Sequence, residues 1–137
     1  MPTPTLNQSR GLIFGCFLLA FVAQITALVY IRDQMRSSEL LGLVIQLLGV
    51  YSVHLGVMIG AVFAKNEKGD KRVSPLPFWL ALCLVILWNA MFCCFTAVNI
   101  FSEASVETIS GGISSLSTAS VFLVAGVLAY FFAKPGK

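Results

Sequence analysis

The sequence predicts an all-α membrane protein, a bundle of four transmembrane helices joined by short loops. Four apolar blocks lie at roughly 11–31, 40–64, 76–101 and 113–133, and each has the ~20 residues that cross a hydrocarbon core of ~30 Å. Only 11% of the 137 residues are charged and 58% are hydrophobic, whereas soluble domains carry ~25% charge. Backbone groups in lipid must bond internally, so the blocks are expected to be helical. We therefore treat 1–137 as a single integral membrane domain.

The first two spans have polar residues at their beginnings. Ser9 is a candidate N-cap for the first helix, and this block is longer than the apolar part of a typical signal peptide. Ser37 or Ser38 can cap the second helix, and Glu39 then lies in its positive first turn. We expect both segments to be retained membrane spans.

The third span has the clearest beginning, because Ser74 precedes Pro75 as a cap precedes proline at the first helical position. The connection Ser102–Gly112 is polar and small, with Ser110, Gly111 and Gly112 as its hinge. We expect a plain loop there, and a shallow re-entrant turn is the alternative. The fourth span follows this connection.

The basic residues predict the orientation of the four spans. If the spans alternate, two basic residues, Arg32 and Arg36, fall on one side and seven on the other. The seven are Arg10, Lys65, Lys68, Lys71, Arg72, Lys134 and Lys137. The positive-inside rule then places both termini in the cytoplasm. We expect a multi-pass protein of the cell membrane, in the bacterial plasma (inner) membrane.

Glycines form a helix-packing pattern in the second span. Three of them repeat every seven residues and a fourth follows four positions later, which gives the stripe Gly42, Gly49, Gly56 and Gly60. Gly11 and Gly15 repeat the four-residue spacing in the first span. Small residues at this spacing let a neighbouring helix approach closely. The neighbour is either a helix of the same chain or one of a second copy in a homo-oligomer.

Uncharged polar side chains inside the spans are the candidate functional residues: Gln24, Gln46, His54, Asn89, Thr96 and Asn99. Such groups need partners in hydrocarbon, so one interpretation is hydrogen bonding between helices. The other is a water-lined vestibule that opens outward. His54 is expected near the midplane, opposite the glycine stripe, either as a neutral hydrogen-bonded residue or as a pH gate or proton relay.

Other chemistry is not indicated by the sequence. The cysteines, Cys16, Cys83, Cys93 and Cys94, have no metal-ligand spacing and no Cys-x-x-Cys pair. Catalytic sets and phosphate-binding loops are not apparent either, so we expect no enzyme activity, cofactor, metal or nucleic-acid partner.

The pattern favours a small membrane protein that acts as a non-enzymatic interaction subunit or homo-oligomer. Its expected partners are the lipid bilayer and either copies of itself or another membrane protein. The alternative is an oligomeric channel or small-solute transporter with an outward-facing polar vestibule and His54 at the midplane.

Overall fold

The computed structural model describes residues 4–30, 36–63, 72–102 and 104–132. In these ranges the chain forms four α-helices, α1 (Leu6–Tyr30), α2 (Ser37–Phe63), α3 (Pro75–Phe101) and α4 (Val106–Phe132). Each is long and apolar enough to cross a membrane. The predicted all-helical class is therefore confirmed, and the orientation in a bilayer stays a prediction.

Some of the predicted features lie outside the described residues. They are the span ends at 31, 64 and 133 and six of the nine basic residues that predict the orientation. These six are Arg32, Lys65, Lys68, Lys71, Lys134 and Lys137.

The four helices pack as the corners of a square. α1 packs against α2 and α3, α4 packs against the same two helices, and α1 also touches α4 across the diagonal. Around the square the order is thus α1, α2, α4, α3.

Three helix termini meet at one end of the bundle. The Val73 N–H donates to the carbonyl of Pro4 at 3.0 Å, which joins the beginnings of α1 and α3. Arg10 of α1 donates through Nε to the carbonyl of Phe131 at 2.6 Å, near the last residue of α4. We call this the basic end, because Arg10 and Arg72 lie there. Two helices separate the beginning of α1 from that of α3, and four separate it from the end of α4. If each helix crosses a membrane once, these three termini lie on the same side.

α1 begins earlier than predicted because Thr5 and Gln8 form a reciprocal cap. The Gln8 N–H donates to Thr5 Oγ1 at 3.3 Å, and the Thr5 N–H donates to Gln8 Oε1 at 3.0 Å. This is the capping box, which satisfies two free donors of the first turn. The prediction of Ser9 as the cap is wrong, since Ser9 is buried inside α1 and donates to the Thr5 carbonyl.

The beginning of α2 depends on Glu39. Its carboxylate accepts the Arg36 N–H at 2.9 Å, and Glu39 lies in the first turn as predicted. Ser37 is already the first helical residue, so the prediction that Ser37 or Ser38 precedes the helix as its cap is wrong. α3 begins at Pro75, directly after Ser74, as the sequence indicates.

α4 contains most of the segment predicted as a loop. It begins at Val106, where Ser105 Oγ accepts the Thr108 N–H at 3.3 Å. The predicted hinge at Ser110–Gly112 is therefore wrong, and so is the re-entrant alternative over the helical residues 106–112. Ile109 and Ile113 are fully buried on one side of this first part of α4, so the apolar face already begins there.

Gly112 is a position in this part of α4 that only glycine fits without a shift of its neighbour. A Cβ placed on Gly112 would overlap the ring of Phe95 on α3. Glycine therefore allows α4 to lie directly on that ring.

The bundle is apolar inside and outside. Its interior contains large fully buried side chains such as Phe17, Trp88 and Phe92. Its surface exposes Leu19, Val53 and Phe122, each by about two thirds or more. An apolar exterior of this extent is what a bilayer, rather than water, accommodates.

Candidate functional site

A chain of hydrogen bonds crosses the interior and joins three helices. Gln24 Nε2 on α1 donates to Tyr51 Oη on α2 at 2.6 Å, and Tyr51 Oη donates to Asn89 Oδ1 on α3 at 3.0 Å. Thr96 Oγ1 of α3 donates to Gln24 Oε1 at 3.5 Å. We call Gln24, Tyr51, Asn89 and Thr96 the polar network. Its members are between 0% and 6% exposed.

Helical spacing places these residues side by side. Asn89 and Thr96 are seven residues apart, which is two turns, so both face the interior from α3. Gln24 has the same spacing from Phe17, another interior residue of α1. Asn89 Nδ2 donates to the Val85 carbonyl one turn earlier at 2.9 Å. The network thus uses the polar atoms that burial in hydrocarbon would otherwise leave unpaired at a cost.

Tyr51 is not among the candidate residues predicted from the sequence. The structure makes it the central member, because its hydroxyl accepts from one helix and donates to another. Its position one turn before His54 was the available signal, since residues three apart share a helix face.

Aromatic rings surround His54, which lies about one turn after Tyr51 on α2. The His54 ring lies 5.2 Å from Trp88, edge-on at 89°, and 5.7 Å from Phe17. His54 is only 6% exposed and lies on the buried side of α2, opposite the exposed glycines. His54 Nδ1 and Trp88 Nε1 are buried without a hydrogen-bond partner among the described residues. The rings therefore hold His54 by packing.

Gln46 and Asn99 are separate from the network. Gln46 Nε2 donates to the Ser110 carbonyl and to Ser114 Oγ, both at 2.7 Å, and so joins α2 to α4. Asn99 Nδ2 donates to the Phe95 carbonyl at 2.8 Å, within its own helix. Of the six candidate polar residues, the structure brings three into one network: Thr96 bonds to Gln24 directly, and Asn89 is joined to Gln24 through the Tyr51 hydroxyl.

The glycine stripe lies on the outside of the bundle. Gly42, Gly49, Gly56 and Gly60 are all exposed, and a Cβ built on any of them meets no atom within 4 Å. The same space is free around Gly11 and Gly15 of α1. These six positions therefore do not form close helix contacts within the chain.

A small crevice reaches the network between α1 and α3. Its volume is about 90 Å³ and it is lined by Gln24, Thr96 and Cys93 with three alanines, Ala23, Ala27 and Ala97. This volume accommodates a few water molecules beside two polar side chains.

The described ranges contain no group of three or more His, Cys, Asp or Glu side chains that could hold a metal ion.

Comparison of the chain with protein-family models, with curated proteins and with solved structures gives no match.

Proposed function

We propose that the chain is a non-enzymatic membrane protein that acts as an interaction subunit or homo-oligomer. It associates with a partner helix through the glycine stripe of α2. The proposal rests on the observation that all four glycines of the stripe face outward and contact no helix of their own chain. The stripe is thus available to a second helix, either from another copy or from a different membrane protein.

The stripe has the length and the chemistry for helix association. It extends over residues 42–60, which corresponds to about 27 Å of helix and so to most of a hydrocarbon core of ~30 Å. Without side chains, the α2 backbone can approach a partner helix closely. Close approach allows dispersion contacts and weak Cα–H···O bonds along the whole stripe.

The buried polar residues support a structural role for the interior. Gln24, Asn89 and Thr96 bond within one network, and each is at most 6% exposed. A channel or transporter, the alternative function, would need polar groups that face water along its path. The crevice at Gln24 and Thr96 is the feature that favours that alternative.

Mass determination in mild detergent tests the proposal. We expect the wild-type chain of 14.8 kDa to form an assembly with itself or a co-purified protein. Gly49→Leu and Gly56→Leu add bulk to the stripe without an internal clash, so each should reduce the assembly to the single chain. Gly111→Leu is the matched control, because it adds the same bulk at another open position.

Two results would contradict the interaction role. One is a monomeric wild-type chain that brings no partner, and the other is an assembly that survives both stripe variants. Ion or solute flux in liposomes that depends on Asn89 would favour the conduit function instead.

A further inference from the structure

We propose that the groove between α3 and α4 at the basic end binds one anionic phospholipid, with an acyl chain in the groove and the headgroup at the basic residues. This inference is independent of the glycine stripe, which is on α2.

The groove has a buried floor and exposed walls. Its volume is about 400 Å³, within the range of small-molecule sites. The floor is made by Ala81, Val127 and Phe131, which are 1% to 4% exposed, and the walls by Leu80, Phe122 and Tyr130, which are at least 60% exposed. The side chains that line it are almost entirely apolar, so it is suited to a hydrocarbon chain.

The dimensions of the groove match one leaflet. Along α3 it extends from Pro77 to Leu84 and along α4 from Phe122 to Phe131, which corresponds to about 11 and 14 Å of helix. Half of a ~30 Å hydrocarbon core is about 15 Å. A partner transmembrane helix would instead need a contact of full depth and a width of about 10 Å. The groove therefore favours an acyl chain over a helix.

One end of the groove lies where α3 begins and α4 ends. Pro77 is the third residue of α3 and Phe131 the last but one of α4. Arg72 is exposed and lies three residues before α3 at this same end. The described residues of this end, 4–10, 72–80 and 126–132, include Arg10 and Arg72 but no Asp or Glu. This charge is complementary to an anionic headgroup.

Gly126 provides a direct steric test of the groove. It lines the groove, and a Cβ built on it meets no protein atom within 4 Å. Gly126→Leu should thus fill the space of the acyl chain without disturbing the helices. Gly111→Leu, on the same helix and outside the groove, is the matched control.

The experiment is native mass spectrometry of the full chain with phosphatidylglycerol or phosphatidylcholine of identical acyl chains. We expect the wild-type chain and Gly111→Leu to retain one phosphatidylglycerol and less phosphatidylcholine. Gly126→Leu should lower phosphatidylglycerol retention by about fivefold or more. Arg72→Gln should lower phosphatidylglycerol retention towards the level of phosphatidylcholine.

Leu80→Trp fills the groove from the α3 side and should reproduce the loss seen with Gly126→Leu. The particle size and the thermal unfolding midpoint in detergent, compared with those of the wild-type chain, show which of the two groove variants is correctly folded. Wild-type retention in a folded groove variant would overturn the site. Equal retention of the two lipids by the wild-type chain would overturn the assignment of an anionic headgroup.

Discussion

Gln24 of α1 donates a 2.6 Å hydrogen bond to the hydroxyl of Tyr51 on α2, and both side chains are buried. The same hydroxyl donates to Asn89 of α3. One oxygen atom thus joins three of the four helices in the apolar interior. Because these groups are buried among apolar side chains, their bonds to one another should matter for both stability and helix pairing.

Tyr51→Phe should lower the free energy of unfolding by about 1–3 kcal/mol. The substitution keeps the ring and its packing, but Gln24 Nε2 and Asn89 Oδ1 each lose a buried partner. Thermal or denaturant unfolding in detergent measures the effect. Tyr130→Phe is the control, because Tyr130 is 62% exposed and its hydroxyl is not part of the network. Equal stability of the two variants would contradict the importance of the network.

The sequence was sufficient to predict the helical class and several members of the network. Apolar block length identifies spans because bilayer thickness is a fixed requirement. Gln24 and Asn89 were recognisable because amides in hydrocarbon need partners. Their partner Tyr51 was harder to recognise, because tyrosine is common in spans and a single helix does not indicate which neighbour its hydroxyl meets.

The beginnings of α1 and α4 and the role of the glycines required the structure. α1 and α4 begin five and seven residues before the predicted blocks, because Thr5 and Ser105 cap polar first turns that hydropathy does not recognise. The glycine spacing indicated close packing but not its partner. Whether a stripe faces inward depends on the other side of the helix, and Leu43, Leu47 and Tyr51 occupy the interior there.

His54→Leu should leave the free energy of unfolding unchanged within about 1 kcal/mol, or raise it. His54 Nδ1 has no hydrogen-bond partner in the described residues, and the ring is held by Trp88 and Phe17. An apolar replacement removes a buried polar atom that has no bond to lose. Gln24→Leu is the contrasting variant, since it breaks two network bonds. A greater loss of stability in His54→Leu than in Gln24→Leu would show that His54 has a bonded structural role.

Arg10→Met should loosen the last turn of α4. The Arg10 Nε–H donates to the Phe131 carbonyl, and the guanidinium lies 5.9 Å from the centre of the Phe132 ring. A cation that bonds a terminal carbonyl contributes about 0.3–2 kcal/mol at a helix end. Amide hydrogen exchange of residues 128–132 should therefore accelerate.

Arg10→Lys separates charge from geometry in this measurement. Lysine keeps the positive charge but lacks the Nε donor and the planar guanidinium. We expect exchange rates between those of the wild-type chain and Arg10→Met. Unchanged exchange in Arg10→Met would show that the contact does not stabilise the end of α4.

Gly112→Ala should destabilise the bundle although alanine is the better helix former. The new Cβ would overlap the ring of Phe95, so α3 and α4 must separate or the ring must move. Overpacking of this kind costs about 1–3 kcal/mol. Gly111→Ala meets no atom within 4 Å, so the neighbouring substitution should be neutral or stabilising by up to about 1 kcal/mol. The unfolding midpoint should therefore fall in Gly112→Ala and stay the same or rise in Gly111→Ala.

A double variant identifies the cause of the Gly112→Ala effect. If the Phe95 ring is the obstacle, Phe95→Leu should recover part of the stability lost in Gly112→Ala, because leucine leaves room for the methyl group. The recovery appears as a coupling energy in a double-mutant cycle. Simple additivity of the two substitutions would mean that Gly112 is required for a reason other than its contact with Phe95.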